Sequence, residues 1–280
     1  MDQYLNDYKD YLKIRGLAPR TIKIYSSILI KFLNIHKNPC EVTQPQIISF
    51  MLQRGANRTI QQTHGALNHF YFGVLGLEAI KKIPQPKAPV FVPNILTEIE
   101  IYHVVSGIDN LKHQAIIQLI YSCALRVGEA LNLKVEDISK TSNQIKIVAG
   151  KGNKTAYVPL PEPTKNLLRL YYAKYRPEVY LFEGLAGKEY SKSSVRKILN
   201  KALVKANIVN HIRVHDLRHS RATHLLQNGM PIKMLKEILR HTKIETTERY
   251  LHLTTKTLEN SMSAADNNIN QLLNQPLLVA

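Results

Sequence analysis

Six side chains between residues 126 and 250 have the types needed to break and remake a phosphodiester bond. Two arginines can grip the phosphate oxygens with planar forks that never lose their charge. A tyrosine can attack the phosphorus if a base, or the positive field of the arginines, reduces the cost of ionising a phenol whose free pKa is about 10. In chain order the six are Arg126, Lys151, His215, Arg218, His241 and Tyr250.

The other members of this set would supply protons and hydrogen bonds. Lys151 lies on a glycine-flanked turn, from which it could protonate the leaving 5′-oxygen as a general acid. His215 is a candidate base for the phenol, and His241 can hydrogen-bond a phosphate oxygen. The product would be a 3′-phosphotyrosine, which stores the bond energy and lets the DNA be resealed without ATP. We therefore expect no cofactor.

Metal chemistry is not expected from this pattern. His215 and His219 are four residues apart, but no third ligand or catalytic glutamate follows at the spacing used by zinc proteases. His219 is expected to pack or cap inside the fold. Each residue also has a purely structural interpretation, since single arginines usually lie at the surface and most of the 14 tyrosines serve packing. Only its position in the ordered set singles out Tyr250.

The charge balance favours a polyanionic partner. The chain has 38 Lys and Arg against 21 Asp and Glu, a formal charge of +17, spread along its length. Nucleic acid is the first candidate, and simple solubility is the alternative. Cationic residues beside the apolar face of one predicted helix are typical of contacts to a phosphate backbone, although a solvated face has the same pattern. These candidate DNA contacts are Arg196, Lys197, Lys201 and Lys205.

The cysteines and the hydropathy of the chain indicate the cellular compartment. Cys40 and Cys123 form neither a disulfide framework nor a zinc motif, and Cys123 is expected to be a small core residue. The N-terminus has no apolar signal-peptide core, and no apolar run is long enough to span a membrane. These features predict a cytoplasmic protein with no membrane partner.

The chain is predicted to form two domains joined by a linker. The first, over residues 1–83, is all-α: Tyr8 and Leu12 share a helical face that ends at Gly16, and three more helices follow from Pro19, from Thr43 and from Arg58. Residues 84–94 are rich in proline and favour an extended connector. The second domain, over residues 95–280, contains all six chemical residues and a C-terminal tail.

The second domain is predicted to be mainly helical with one small β-hairpin, an α+β unit. Thr97-Glu-Ile-Glu100 is a capping box that starts its first helix. Strands at 145–148 and 155–158 flank the glycine-lysine turn. Further helices are predicted at 163–175, at 193–206, at 216–228 and after Pro231.

Taken together, these motifs resemble the tyrosine recombinase (phage integrase) family over nearly the whole chain. Residues 11–25 resemble the opening of that family's core-binding domain, and 121–133 its first arginine box. Residues 150–160 resemble the hairpin that carries the lysine, 215–226 the second box and 239–250 the box that ends in the nucleophile. The short N-terminal region is most similar to Xer-like and integron-like enzymes.

The resemblance implies a fold, a reaction and an assembly. It implies a clamp around double-stranded DNA, made of a SAM-like core-binding domain and a catalytic domain. It also implies site-specific recombination through a Holliday junction by a homotetramer on two sites, from chains that are monomeric without DNA. Glu129 matches an acidic position that supports the site. The leucine-bearing tail after Leu258 is expected to dock on a neighbouring subunit.

Two departures from the family pattern lie beside the site. Ser122-Cys-Ala124 stands where the family usually has a Thr-Gly type run. Arg240 stands where a glycine usually precedes the histidine of the third box, and it is a further candidate phosphate contact.

Two alternatives remain beside site-specific recombination. A type IB topoisomerase would relax supercoiled DNA with the same phosphotyrosine chemistry at a single site. A regulator would bind DNA without cutting it.

Overall fold

The structure, a computed structural model, describes residues 2–80, 83–85, 93–139, 141–148 and 155–251. Contacts divide the chain into two compact units, Met1–Phe91 and Val92–Ala280. The described part of the first unit is helical, and the second unit adds a two-stranded sheet. The predicted fold class, mainly α with one small hairpin, is confirmed.

Four α-helices build the described part of the first unit. Tyr8 and Leu12 of its first helix are fully buried, as their spacing predicts, and the Tyr8 hydroxyl donates to the Ala66 carbonyl at 2.7 Å. That helix stops at Gly16, whose φ of +69° is readily adopted only by glycine. The helices are α1 (Asp2–Ile14), α2 (Pro19–Ile35), α3 (Gln44–Leu52) and α4 (Asn57–Gly73).

The second unit opens with helices that build its core and present the first arginine. They are α5 (Glu98–Ser106), α6 (Leu111–Ser122) and α7 (Val127–Leu131). The predicted capping box starts α5, because Thr97 N–H donates to Glu100 Oε2 at 2.7 Å and Glu100 N–H donates to Thr97 Oγ1 at 3.2 Å. Cys123, just after α6, is buried as predicted.

The predicted β-hairpin is present. Strands β1 (Gln144–Val148) and β2 (Thr155–Pro159) pair antiparallel, with Gln144 opposite Pro159 and Val148 opposite Thr155. Ile145, Ile147 and Val158 face the core, which fixes the register. The connecting residues 149–154, including Lys151, lie outside the described residues, as do most of the proposed linker and the tail from 252 onward.

The remaining helices carry or closely precede four of the six chemical residues, His215, Arg218, His241 and Tyr250. They are α8 (Glu162–Tyr175), α9 (Lys192–Lys205), α10 (Val214–Gln227), α11 (Ile232–Leu239) and α12 (Glu245–Glu248). The predicted start of α10 at Asp216 is two residues late, because the Asp216 carboxylate accepts the Arg213 N–H at 2.8 Å and so closes the first turn from within. His215 therefore lies in that first turn. Among the described helices, none is long and apolar enough to cross a membrane.

Candidate active site

Arg218 is buried in the middle of α10 and is held by the backbone of two other helix ends. Its side chain is 1% exposed. Nη1 donates to the Ala124 carbonyl at 2.8 Å, and Nη2 donates to the Leu239 carbonyl. These carbonyls lie at the C-terminal ends of α6 and α11, where helix oxygens lack intrahelical partners and carry partial negative charge. Two helix ends therefore orient one guanidinium.

The backbone next to each of these carbonyls is left-handed. Ala124 has a φ of +47° and Arg240 a φ of +53°. Both lie in the two departures from the family pattern, the run Ser122-Cys-Ala124 and Arg240. Helices commonly end in this conformation, and the two turns are closed by Leu125 N–H to Ile120 O at 3.0 Å and His241 N–H to Lys236 O at 3.1 Å. The helix ends thus keep a glycine-like geometry without glycine.

Glu129 joins three arginines into what we name the cationic cluster, defined as Arg126, Glu129, Arg218 and Arg240. Its Oε1 accepts from Arg126 Nη1 at 2.7 Å, and its Oε2 accepts from Arg240 Nη2 at 2.6 Å. Arg218 Nη1 lies 3.5 Å from the same Oε2. Burial alone would raise the pKa of Glu129, but Arg240 and the hydrogen bonds from Arg126 hold that pKa below its usual value. Three guanidinium groups therefore face one ionised carboxylate.

Arg126 is the exposed member of the cationic cluster. It is the N-cap residue of α7, and its backbone N–H donates to Glu129 Oε2 at 2.7 Å. Its side chain is 44% exposed, against 1% for Arg218. The two arginines therefore lie together as predicted, but only Arg126 is open to an incoming anion in this conformation.

His241 follows α11 and touches Arg218 directly. Its Nε2 lies 3.3 Å from Arg218 Nη2, and because a guanidinium only donates, this nitrogen is the acceptor. Nδ1 is then the protonated nitrogen and donates to Thr247 Oγ1 at 3.0 Å. Burial and the Arg218 charge lower the pKa of His241 to about 3, so the ring is neutral near neutral pH.

His215 remains exposed in the first turn of α10. The protein around its ring and the charges of Arg218 and Arg126 lower its pKa. A neutral, accessible imidazole is the form that a proton acceptor needs. Its ring meets the ring of His219 edge-on, with centroids 4.5 Å apart.

Tyr250 is stored in what we name the tyrosine pocket, formed by Ala124, His219, Ala222, Leu235 and Leu239. The tyrosine is 1% exposed, and its hydroxyl lies 2.7 Å from His219 Nδ1. Burial raises the pKa of Tyr250, and the nearby charge of Arg218 offsets only part of that rise. Burial and His215 lower the pKa of His219 to about 4, so the ring is neutral and its Nδ1 accepts a hydrogen bond from the Tyr250 hydroxyl. The hydroxyl is therefore neither exposed nor ionised.

The predicted DNA contacts fall into two groups. On α9 the apolar residues are buried and the cations are exposed, in the arrangement expected from the sequence, although Lys205 is paired with Asp109 at 2.9 Å. Arg240 differs, because its side chain is only 9% exposed and is bound to Glu129. In this conformation Arg240 belongs to the site and does not present a phosphate contact. Lys151 stays a prediction, since it lies outside the described residues.

Sequence reasoning missed several participants. The Ala124 and Leu239 carbonyls give no side-chain signal, and Thr247 is one of several threonines before Tyr250. His219 was expected to pack or cap, and it does so against the tyrosine hydroxyl itself. Among the described residues, no group of three or more His, Cys, Asp or Glu side chains is arranged to hold a metal ion.

Comparison with known proteins places this site in a family. Residues 93–257 match the phage integrase family, and residues 4–80 match the N-terminal SAM-like domain of phage integrases. Tyrosine recombinase XerA of Pyrococcus furiosus is 32% identical over 272 residues, which cover 94% of this chain and 94% of that protein.

Two solved structures have a similar fold. XerH site-specific recombinase, in a post-cleavage complex with its palindromic difH substrate, has a TM-score of 0.74 and 21% identity over 91% of this chain and 83% of that one. A lambda integrase tetramer bound to a Holliday junction has a TM-score of 0.71 and 16% identity over 86% of this chain and 77% of that one. The chain therefore belongs to the phage integrase family and is a tyrosine recombinase.

Proposed function

We propose that this protein recombines specific DNA sites by cleaving and rejoining duplex DNA through a 3′-phosphotyrosyl intermediate, without a metal ion or ATP. The observation that carries the proposal is the convergence of Arg126, Arg218 and His241 beside Tyr250, with the arginines oriented by one carboxylate and two helix ends. Preorganised cations of this kind stabilise the negative charge that develops on phosphorus in the transition state.

In the cleavage step the Tyr250 oxygen would form a bond to phosphorus while the bond to the 5′-oxygen breaks. The phenol proton would pass to His215, whose lowered pKa keeps the ring neutral and able to accept it. Lys151 would give a proton to the leaving 5′-oxygen. Attack by the 5′-hydroxyl of a second strand would reverse these steps, so no external energy source is needed.

The resting arrangement needs one rearrangement before this step. The Nη atoms of Arg218 are bound to Ala124, Leu239 and His241, and both Arg218 and Tyr250 are 1% exposed. A phosphate can reach neither group in this arrangement. We infer that the segment from Arg240 to Tyr250 moves outward on DNA, which frees Arg218 donors and brings the phenol to the phosphorus.

The decisive experiment is to trap the covalent adduct. When a duplex is nicked a few nucleotides 3′ of the scissile phosphate, cleavage releases the short fragment that carries the new 5′-hydroxyl, so wild-type protein should accumulate an SDS-resistant adduct in EDTA. Tyr250→Phe should form none and still bind DNA. Tyr172→Phe, an exposed tyrosine on α8, is the matched control and should behave as wild type. An adduct formed by Tyr250→Phe would place the nucleophile elsewhere, and an adduct lost in EDTA would indicate a metal-dependent reaction.

The number of sites needed separates recombination from the alternatives. Exchange between two sites, with a Holliday junction detectable on native gels, is the expected result. Relaxation of a one-site supercoiled plasmid without exchange would identify a topoisomerase, and binding without any adduct would identify a regulator. The lambda integrase tetramer on a Holliday junction supports the expectation of four subunits in the active complex. Sedimentation of the protein with and without junction DNA tests that expectation.

A further inference from the structure

Arg240 occupies a position whose backbone does not favour an arginine. It closes α11 with a φ of +53° and a ψ of +43°, a left-handed conformation that glycine adopts without strain. Its guanidinium is removed from solvent, and its buried Nε has no hydrogen-bond partner among the described residues. Strain and an unsatisfied polar atom at one residue are reasons to look for a function that its side chain supplies.

The Arg240 side chain connects two parts of the site that are far apart in sequence. Nη2 donates to Glu129 Oε2 at 2.6 Å, and Nη1 donates to the Ile238 carbonyl at 2.7 Å. The first bond ties the turn that carries His241 to α7, the helix whose N-cap residue is Arg126. The second fixes the guanidinium to its own helix end, so the fork has little freedom to swing toward DNA.

We propose that Arg240 is a positioning residue of the strand-transfer site, which acts by holding the Glu129 carboxylate so that Glu129 orients Arg126. The proposal rests on the proposed function. Glu129 divides its oxygens: Oε1 holds the Arg126 guanidinium, while Oε2 accepts from the Arg126 backbone and from Arg240.

Competition for Oε2 explains why Arg240 matters. Arg218 Nη1 lies 3.5 Å from this oxygen, close enough for attraction but too long for a good hydrogen bond. Without Arg240, Oε2 would be free to pair with Arg218 and would draw that guanidinium away from a phosphate. With Arg240 in place, the carboxylate is saturated, and the Arg218 guanidinium stays on the Ala124 and Leu239 carbonyls until DNA binding frees its donors. The lowered pKa of Glu129 agrees with a carboxylate that stays ionised throughout.

The test separates positioning from DNA contact and from folding. Arg240→Gly and Arg240→Asn both remove the guanidinium. Glycine and asparagine both tolerate the left-handed backbone at this position, so neither variant adds strain. Arg176→Gly is the matched control, because Arg176 is an exposed arginine at the end of α8 with the same left-handed backbone, φ +43°. The measurements are the single-turnover adduct rate at saturating protein, the Kd for DNA across salt concentrations, and the melting temperature.

Arg240→Gly and Arg240→Asn should slow adduct formation by roughly ten- to a hundredfold, as expected when a group that orients a catalytic residue is removed. The Kd and its salt dependence should stay within about twofold of wild type, since no phosphate contact is lost. Arg240→Lys should restore part of the rate, because an ammonium still neutralises Oε2. Arg176→Gly should leave the rate unchanged.

The pH profile and a double variant give readouts that a merely structural role would not move. Loss of Arg240 should raise the pKa of Glu129, so the acid limb of the adduct rate should shift to higher pH. In a Glu129→Gln background, adding Arg240→Gly should cost less than about twofold, because the carboxylate that Arg240 positions is already gone.

Three outcomes would overturn the proposal. An unchanged adduct rate in both Arg240 variants would remove the positioning role. A weaker Kd with a smaller salt slope would make Arg240 a phosphate contact instead. If the losses in adduct rate caused by Arg240→Gly and Glu129→Gln were fully additive, Arg240 would not act through the Glu129 carboxylate. Failure of the wild-type protein to form any adduct would be a different result, because it would contradict the proposed function itself.

Discussion

The cationic cluster and the tyrosine pocket share helix α10 but are prepared in opposite ways. Arg218 faces the cluster, where every described partner is polar, while the next residue, His219, faces a pocket lined otherwise by alanine and leucine. The cluster is assembled and ionised in the resting state, whereas the phenol is buried and protonated. The comparison teaches that the fold gathers the cations in advance, and that in the proposed cleavage the phenol and the Arg218 donors are the groups that DNA must release.

This division has an electrostatic reason. Like charges can stay together without DNA only where carboxylates and helix-end carbonyls offset them, and Glu129, Ala124 and Leu239 supply that offset. Burial lowers the pKa of Arg218 to about 9, which still leaves it charged near neutral pH. A phenol needs no such partners as long as it keeps its proton, so an apolar pocket suits it.

The largest effect should be the loss of adduct formation when an arginine of the cationic cluster is replaced. Arg218→Lys replaces a fork that reaches two carbonyls with a single ammonium, and adduct formation should fall about a thousandfold, or about 4 kcal/mol of barrier. Arg213→Lys, at the N-cap of α10, alters an ion pair with Asp216 outside the cluster and should change the rate by less than about twofold. The single-turnover adduct rate measures both. Equal losses in the two variants would mean that the cluster has no special role.

Truncating a side chain of the tyrosine pocket should lower the free energy of unfolding. Leu235 is fully buried in the pocket, so Leu235→Ala should lower the free energy of unfolding by about 3 kcal/mol through lost burial and a cavity. Met234, its neighbour on α11, is 55% exposed, and Met234→Ala should cost less than about 0.5 kcal/mol. Urea denaturation of the full chain measures both values. A small loss at Leu235 would show that the pocket is loosely packed.

Acid should lower the free energy of unfolding, because it protonates His219 in the tyrosine pocket. Its pKa is about 4 in the fold and about 6.5 when unfolded, so the unfolded chain binds the extra proton between these values. The stability contributed by the neutral ring is therefore complete above pH 6.5 and is lost as pH falls toward 4, by about 2 kcal/mol between pH 7 and 5. His219→Gln, which does not titrate, should flatten the stability profile over this range. An unaltered slope would assign the acid sensitivity to other groups.

The smallest effect should be the loss of stability when the Tyr250 hydroxyl is removed. Tyr250→Phe keeps the packing but removes the hydrogen bond to His219, so the free energy of unfolding should fall by about 1 kcal/mol. Tyr172→Phe, at an exposed position, should leave it unchanged within error. Urea titrations of the two variants measure the difference. A Tyr250→Phe protein as stable as wild type would mean that packing alone retains the tyrosine.

Local patterns in the sequence were sufficient for the elements and for the types of the chemical residues. The capping box at Thr97, the hairpin around the glycine-lysine turn and the apolar face of α9 depend on neighbours a few residues apart. The pairing of Glu129 with Arg240 spans 111 residues and joins two surfaces that only the fold brings together. The storage of Tyr250 was equally invisible, because residue order shows that a tyrosine is present but not which of two environments it occupies at rest.

Main-chain anchoring of Arg218 determines which genetic changes the site tolerates. Both acceptors are peptide oxygens, so a substitution at position 124 or 239 that fits the tyrosine pocket and the local turn leaves them in place. Inserting or deleting one residue in α6 or α11 would instead rotate the helix end by about 100° and carry its oxygen away. The spacing of these helices is thus under tighter constraint than the identity of the residues that end them.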